Sequence, residues 1–205
     1  MAVKNNNSLD EIELQALIIK WLLEDEYRID ALIVAEQLKL NDWMLAAGFV
    51  RNLVWDKIHG LQSALNDIDL IYFDVNDLSI ERDKAIEAEL KRIAPIYPWS
   101  VKNQARMHLR NGHQQYSSSL NAMSYWPEKQ TAIGVSGVYL SSVSNPIPAS
   151  VSGMATQLVL HTPFDFNCLF DLSLQHNPKA KRALFEHRLA QKGWLQTYPK
   201  LRDNG

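Results

Sequence analysis

One octapeptide, Asp67-Ile68-Asp69-Leu70-Ile71-Tyr72-Phe73-Asp74, constrains this chain more than any other segment. Its apolar centre is rich in branched and aromatic residues, which suit the pleated surface of a strand. Residues two apart on a strand point to the same side, so Asp67 and Asp69 project together from the head of a rigid element. Carboxylates held that close repel, and a divalent cation relieves the repulsion. Magnesium takes oxygen ligands, usually one or two carboxylates plus substrate phosphates. Taken alone, the pair also reads as acids on a solvated strand edge, with Asn66 as a turn residue.

The segment before it narrows the choice. Residues 43–47 form a short apolar run, read as a buried strand, that ends in Gly48. Helical spacing resumes at Phe49, Leu53, Val54 and Ile58, and Gly60 is a natural stop. A glycine at a strand-to-helix turn lets a phosphate approach the backbone, and the free N–H groups of the helix favour anions. Elsewhere the pattern predicts helices over residues 9–23, 30–38 (capped by Asp30), 79–94, 117–125 and 179–192. Strands are expected over 99 to about 108 and 131–140, with more strand material in 158–174. Asn111-Gly112 reads as a tight turn, and the Ser- and Pro-rich residues 141–157 as a long surface loop. Alternating strands and helices give an α/β (α+β) class. Residues 1–8 read as a flexible polar tail and 9–205 as a single domain.

Charge is divided unevenly. Residues 1–89 carry 18 of the 23 acids, and the rest of the chain carries 13 of the 21 lysines and arginines. No acid occurs in residues 90–127, where Lys91, Arg92, Lys102, Arg106 and Arg110 all fall. An acidic centre facing a basic wall suits a metal together with a polyanion such as a nucleoside triphosphate; a solvated charge asymmetry is the plainer reading. The lone cysteine, Cys168, rules out an internal disulfide and reads as a buried, inert thiol. With no apolar run of about 20 residues and no signal-peptide core, the expected location is cytoplasmic.

Several segments together carry a resemblance. They are Ala47-Gly48-Phe49-Val50-Arg51-Asn52, Leu65 through Asp74, Val101-Lys102-Asn103-Gln104-Ala105-Arg106-Met107-His108 with Asn111-Gly112, Trp126-Pro127-Glu128, Thr131-Ala132, and residues 194–201. Over residues 43–201 the chain resembles a bacterial nucleotidyltransferase-like family of the polymerase-β-like nucleotidyltransferase superfamily. The resemblance implies a mixed sheet flanked by helices, a magnesium (or manganese) cofactor and a nucleoside triphosphate substrate. The implied reaction moves a nucleoside monophosphate to an acceptor that the sequence does not name. Asp67 and Asp69 would be the catalytic metal ligands; Gly48, Phe49, Arg51, Lys102, Asn103 and Arg106 would contact the nucleotide.

The chain departs from the superfamily pattern in three ways. Gly48 is followed by Phe49 instead of a second small residue, and the interval from Gly48 to Asp67 is longer than usual. The third acid expected on the next strand is missing, because residues 99–107 offer the amides of Asn103 and Gln104. Glu128 is the preferred substitute as a third metal ligand, since Asp74 has the wrong strand parity. Without that acid, a catalytically degenerate nucleotide-binding or interaction protein is the alternative reading.

Other residues rank lower. On a strand reaching His108, Lys102, Gln104, Arg106 and His108 would share one face. His108 and His113 lack zinc-site spacing. Tyr125 and Trp126 suit base stacking or packing. The final helix carries Lys179, Lys181, Arg182, Arg188 and Lys192, a solvated face by default that leaves nucleic acid a possible but not favoured partner.

Overall fold

Side-chain caps fix where the helices begin. The computed structural model describes residues 9–141 and 154–204; the tail read at residues 1–8, and residues 142–153 of the expected loop, lie outside the described residues. Helix α1 (Glu11–Leu23) opens on a capping box in which Asp10 and Glu13 each accept the other's backbone N–H. Helix α2 (Glu26–Glu36) is capped by Asp25, not by Asp30. Asp30 lies inside the helix and accepts the Tyr97 hydroxyl at 2.5 Å. After strand β1 (Met44–Ala46), helix α3 (Gly48–His59) ends at Gly60, whose φ of 66° is the left-handed conformation glycine adopts without strain. Strand β2 (Ile68–Tyr72) leads to α4 (Ile80–Ile93), which is capped by Ser79.

Strand β3 (Trp99–Asn103) is shorter than expected. The Asn103 carboxamide oxygen accepts the Ala105 N–H and turns the chain into a 3-10 turn, Gln104–Arg106. Helix α5 (Met107–Asn111) follows, so Asn111-Gly112 is no hairpin turn: Gly112, at φ 67°, caps that helix. Helix α6 (Ser119–Met123) precedes β4 (Gly134–Ser141) and β5 (Met154–His161), which pair antiparallel along their whole length. The ends of the expected loop are therefore strand. The chain closes with α7 (Asn167–Phe170), β6 (Ser173–Leu174), α8 (Arg182–Lys192), α9 (Trp194–Thr197) and β7 (Arg202–Asp203).

Five strands form one mixed sheet in the order β3-β2-β1-β4-β5, with β2 and β3 parallel and the other pairs antiparallel. Strand alternation sorts its residues onto two faces. Leu45, Ile68, Leu70, Tyr72, Val101 and Val135 share a core with Ile18, Leu22, Leu32, Leu53 and Val54 of helices α1 to α3, and with Leu90 of α4. On the opposite face, Met44, Ala46 and Ile71 make a smaller apolar cluster with Met123 and Ala132. Asp69, Ser100 and Lys102 share that second face by parity, so the polar residues of β2 and β3 are left on the side away from the helices.

Gly134 sits where this face is tightest. It pairs with Ala46, and a Cβ there would lie 2.7 Å from the sulfur of Met44, itself fully buried. Gly134→Ala is expected to destabilise the fold by about 1–3 kcal/mol, the usual cost of overpacking. Urea unfolding tests this, and an unchanged midpoint would contradict it.

Candidate functional site

A cleft of about 680 Å³ opens on the second face of the sheet. Asp67, just before β2, Asp69 and Ile71 of β2 and Lys102 of β3 line it, as do Ala47, Gly48 and Arg51 at the β1–α3 turn. Across from them stand Arg110, His113, Tyr125 and Trp126 on one side, and Lys181, Leu184, Arg188 and Lys192 on the other. Asp67 is exposed and Asp69 half-buried. Neither is in a salt bridge among the described residues. Burial, then the like charge of Asp67, push the Asp69 carboxyl above its ordinary value; Lys102, a hydrogen bond from Ser100 and Lys192 oppose the shift.

The β1–α3 turn is strained. Ala47 has φ 56° and ψ −118°, an unusual conformation for a residue with a Cβ. It is held there by its N–H, which donates to the Ile133 carbonyl at 2.8 Å, and by its own carbonyl, which accepts from Arg51 N–H at 3.0 Å. The sharp turn brings the start of α3 to the cleft, where the first-turn N–H groups of Gly48 and Phe49 have no intrahelical acceptor. The Phe49 side chain points the other way, fully buried in the main core, so only its backbone is available to a ligand.

Arg51 is the most constrained cation of the site. Its guanidinium lies 5.1 Å from the Trp55 ring centroid and 4.7 Å from that of Trp194. It donates to Thr131 Oγ1 at 2.8 Å and to Asn52 Oδ1 at 2.9 Å. Burial pushes it down to about 10, against the opposing pull of Glu128, Tyr198 and Asp67, so it stays charged at neutral pH.

Three expected site residues lie elsewhere. Glu128 is fully buried and does not line the cleft; Arg188 Nε donates to its Oε1 at 2.6 Å. It forms no metal-holding group with Asp67 and Asp69, and no cluster of three or more His, Cys, Asp or Glu suited to a metal occurs among the described residues. Asn103 faces the helices. Its amide nitrogen donates to the carbonyls of Asp74 and Asp77 at 2.7 and 2.9 Å, and its oxygen accepts the N–H groups of Asp74 and Ala105. Arg106, beyond the end of β3, pairs with buried Asp83, which also accepts the Tyr72 hydroxyl. Asn103→Ala would remove the side-chain partner of four backbone groups, one of them buried and three part-buried, and is expected to cost about 2–4 kcal/mol. Thermal unfolding checks this, and a loss below about 0.5 kcal/mol would count against it.

The sequence had assigned α8 to solvent by default. Leu184, Arg188 and Lys192 recur every four residues, one stripe of the helix, and all three line the cleft. That spacing was visible in the sequence, but the partner of the stripe was not. Ser100 was also overlooked, although it is the register partner of Asp69. Tyr125 and Trp126 do reach the cleft; the Tyr125 ring has His113 at 4.8 Å between centroids and the Lys179 ammonium at 5.0 Å. Burial pushes the Cys168 thiol up to about 12, in keeping with an inert residue.

Two carboxylates in no salt bridge among the described residues stand at the head of a sheet strand, beside a strained strand-to-helix turn and among cations, on the helix-flanked mixed sheet of a polymerase-β-like nucleotidyltransferase fold. The chain belongs to the nucleotidyltransferase family, whose model matches residues 33–202. It is similar to a solved NMR structure reported to reveal a CCA-adding enzyme head domain, with 27% identity, a TM-score of 0.73, and coverage of 92% of this chain and 94% of that one. No curated protein matches it. Among the described residues no helix is long and apolar enough to cross a membrane.

The donor set fits one divalent ion. Asp67 and Asp69 supply two oxygen ligands on one face, and the open cleft leaves room for phosphate and water ligands, as magnesium prefers. It does not fit a second ion that would need its own carboxylate.

Proposed function

We propose that the cleft binds a magnesium–nucleoside triphosphate and transfers the nucleoside monophosphate to an acceptor nucleophile. The observation that carries this reading is the Asp67/Asp69 pair, in no salt bridge among the described residues, in a cleft otherwise lined, among charged side chains, by cations: Arg51, Lys102, Arg110, Lys181, Arg188 and Lys192. Asp67 and Asp69 would hold the metal, which when bound supplies charge neutralisation at the phosphates. The N–H groups at the start of α3 and the fixed guanidinium of Arg51 meet phosphate oxygens, and Lys102 and Arg188 add charge-assisted donors. In the transfer, an acceptor oxygen forms a bond to the α-phosphorus while the bond to the bridging oxygen of the β-phosphate breaks. Pyrophosphate leaves, and the acceptor's proton passes to solvent. Tyr125 and Trp126 offer π-faces on which a base can stack.

The test is calorimetric titration of ATP, GTP, CTP and UTP with and without magnesium. Metal-dependent binding of at least one nucleotide is expected; no binding by folded protein at millimolar nucleotide would sink the reading. The absent third carboxylate favours a second reading, a nucleotide-binding protein that has lost transfer. Tight binding without pyrophosphate release across a broad panel of acceptors would establish it.

A further inference from the structure

The parallel β2–β3 pair decides which residues of β3 can reach the metal ligands. Ile68 pairs with Trp99, Asp69 with Ser100 and Ile71 with Lys102. Trp99, Val101 and Asn103 are buried on the helix side, so only Ser100 and Lys102 remain on the face of Asp69. The position across from Asp69, where a neighbouring strand would present a third acid, holds a hydroxyl instead. The Lys102 ammonium donates to that hydroxyl at 3.0 Å and itself lines the cleft.

No other part of the chain makes good the loss. Asp67 and Asp69 are the only acids lining the cleft among the described residues. Glu128, the substitute preferred from the sequence, is buried against Arg188. The residues outside the description, 1–8, 142–153 and 205, contain no Asp or Glu at all. A second ion would have no carboxylate of its own and would sit beside the Lys102 ammonium, held only by phosphate oxygens and water.

We propose that this cleft holds a single divalent ion, and that Ser100 and Lys102 occupy the place of the acid that would bind a second. The inference rests on the cleft being the triphosphate site. Lys102 provides a fixed positive charge on the floor beside Asp69, and no ion has to be recruited there. A preorganised cation of this kind stabilises charge developing on a transferred phosphoryl group. The centre therefore differs from a two-metal clamp, in which one ion also binds the attacking oxygen; here the acceptor would have to be positioned without one.

Counting ions tests this without relying on turnover. Bound Mn2+ per chain is measured by equilibrium dialysis, with both compartments containing the α,β-methylene analogue of whichever nucleotide binds tightest in the calorimetric titration. One ion per chain is expected for the wild type. The double variant Ser100→Asp/Lys102→Met restores the acid and removes the competing charge, and is expected to bind two. A wild-type count of two overturns the single-ion proposal while leaving the triphosphate site intact. A count that stays at one in the variant overturns the assignment of Ser100 and Lys102, provided its circular dichroism matches wild type; Ser100→Asp alone is the second variant should the double one misfold. A wild-type count of zero removes the triphosphate site, and this proposal with it.

Discussion

Arg188→Met is expected to lower stability by about 2–4 kcal/mol, although Arg188 itself sits at the edge of the cleft. The reason lies in its partner. The Glu128 side chain is fully buried, whereas that of Arg188 is 29% exposed. Removing the arginine leaves a buried carboxylate without its ion-pair partner, offset only by the more distant charge of Arg51, and breaking a buried pair in this way costs several kcal/mol. The estimate is reduced because the arginine end of the pair is partly solvated. For a chain of this size the loss corresponds to a fall in Tm of roughly 5–15 °C. Glu128→Gln in the same background removes the stranded charge and should recover at least half of the loss. If the double variant is no more stable than Arg188→Met, the buried-charge account fails. Because Arg188 also lines the cleft, the stability-rescued double variant should still bind nucleotide more weakly than wild type.

The second large effect concerns the proposed metal ligands, Asp67 and Asp69. Asp67→Asn/Asp69→Asn is expected to weaken magnesium-dependent nucleotide binding by about 10²–10³-fold, or roughly 3–4 kcal/mol, since the ion's two charged ligands become neutral amides. The fold should not suffer. The wild-type carboxylates share one face without a salt bridge among the described residues, and Asp67 acts on Asp69 as a like charge. Neutralising both relieves that repulsion, so Tm without metal should hold or rise slightly. Magnesium with nucleotide should raise the Tm of the wild type, by mass action, but not that of the variant. A variant that binds as well as wild type would move the metal site away from Asp67 and Asp69.

The two effects differ in how readily the sequence disclosed them. Asp67 and Asp69 were legible because strand parity is a local property: once residues 68–72 are β, two residues apart means one face. The Gly48 turn and its helix were legible for the same reason, as was the stop at Gly60. Asp30 failed as a cap because Asp25, five residues earlier, meets the same requirement and starts the helix a full turn sooner. The third strand failed differently. Lys102, Arg106 and His108 share parity only while the chain stays extended, and the Asn103 side chain ends the strand by bonding to the next turn. Arg106 was thereby carried round to Asp83.

Glu128 and Arg188 show the limit most clearly. They lie 60 positions apart, and nothing in either neighbourhood marks them as a pair. Short-range backbone geometry suffices to read the element types from α1 to α4, the two carboxylates at the head of β2 and the strand-to-helix turn before α3. It takes the folded arrangement to show which cations share the cleft with those carboxylates, that Glu128 pairs with Arg188 outside that cleft, and that Ser100 and Lys102 lie on the face of Asp69. Those choices depend on strand register and on the docking of the last helices. Both arise from long-range packing, which leaves no periodic trace along the chain.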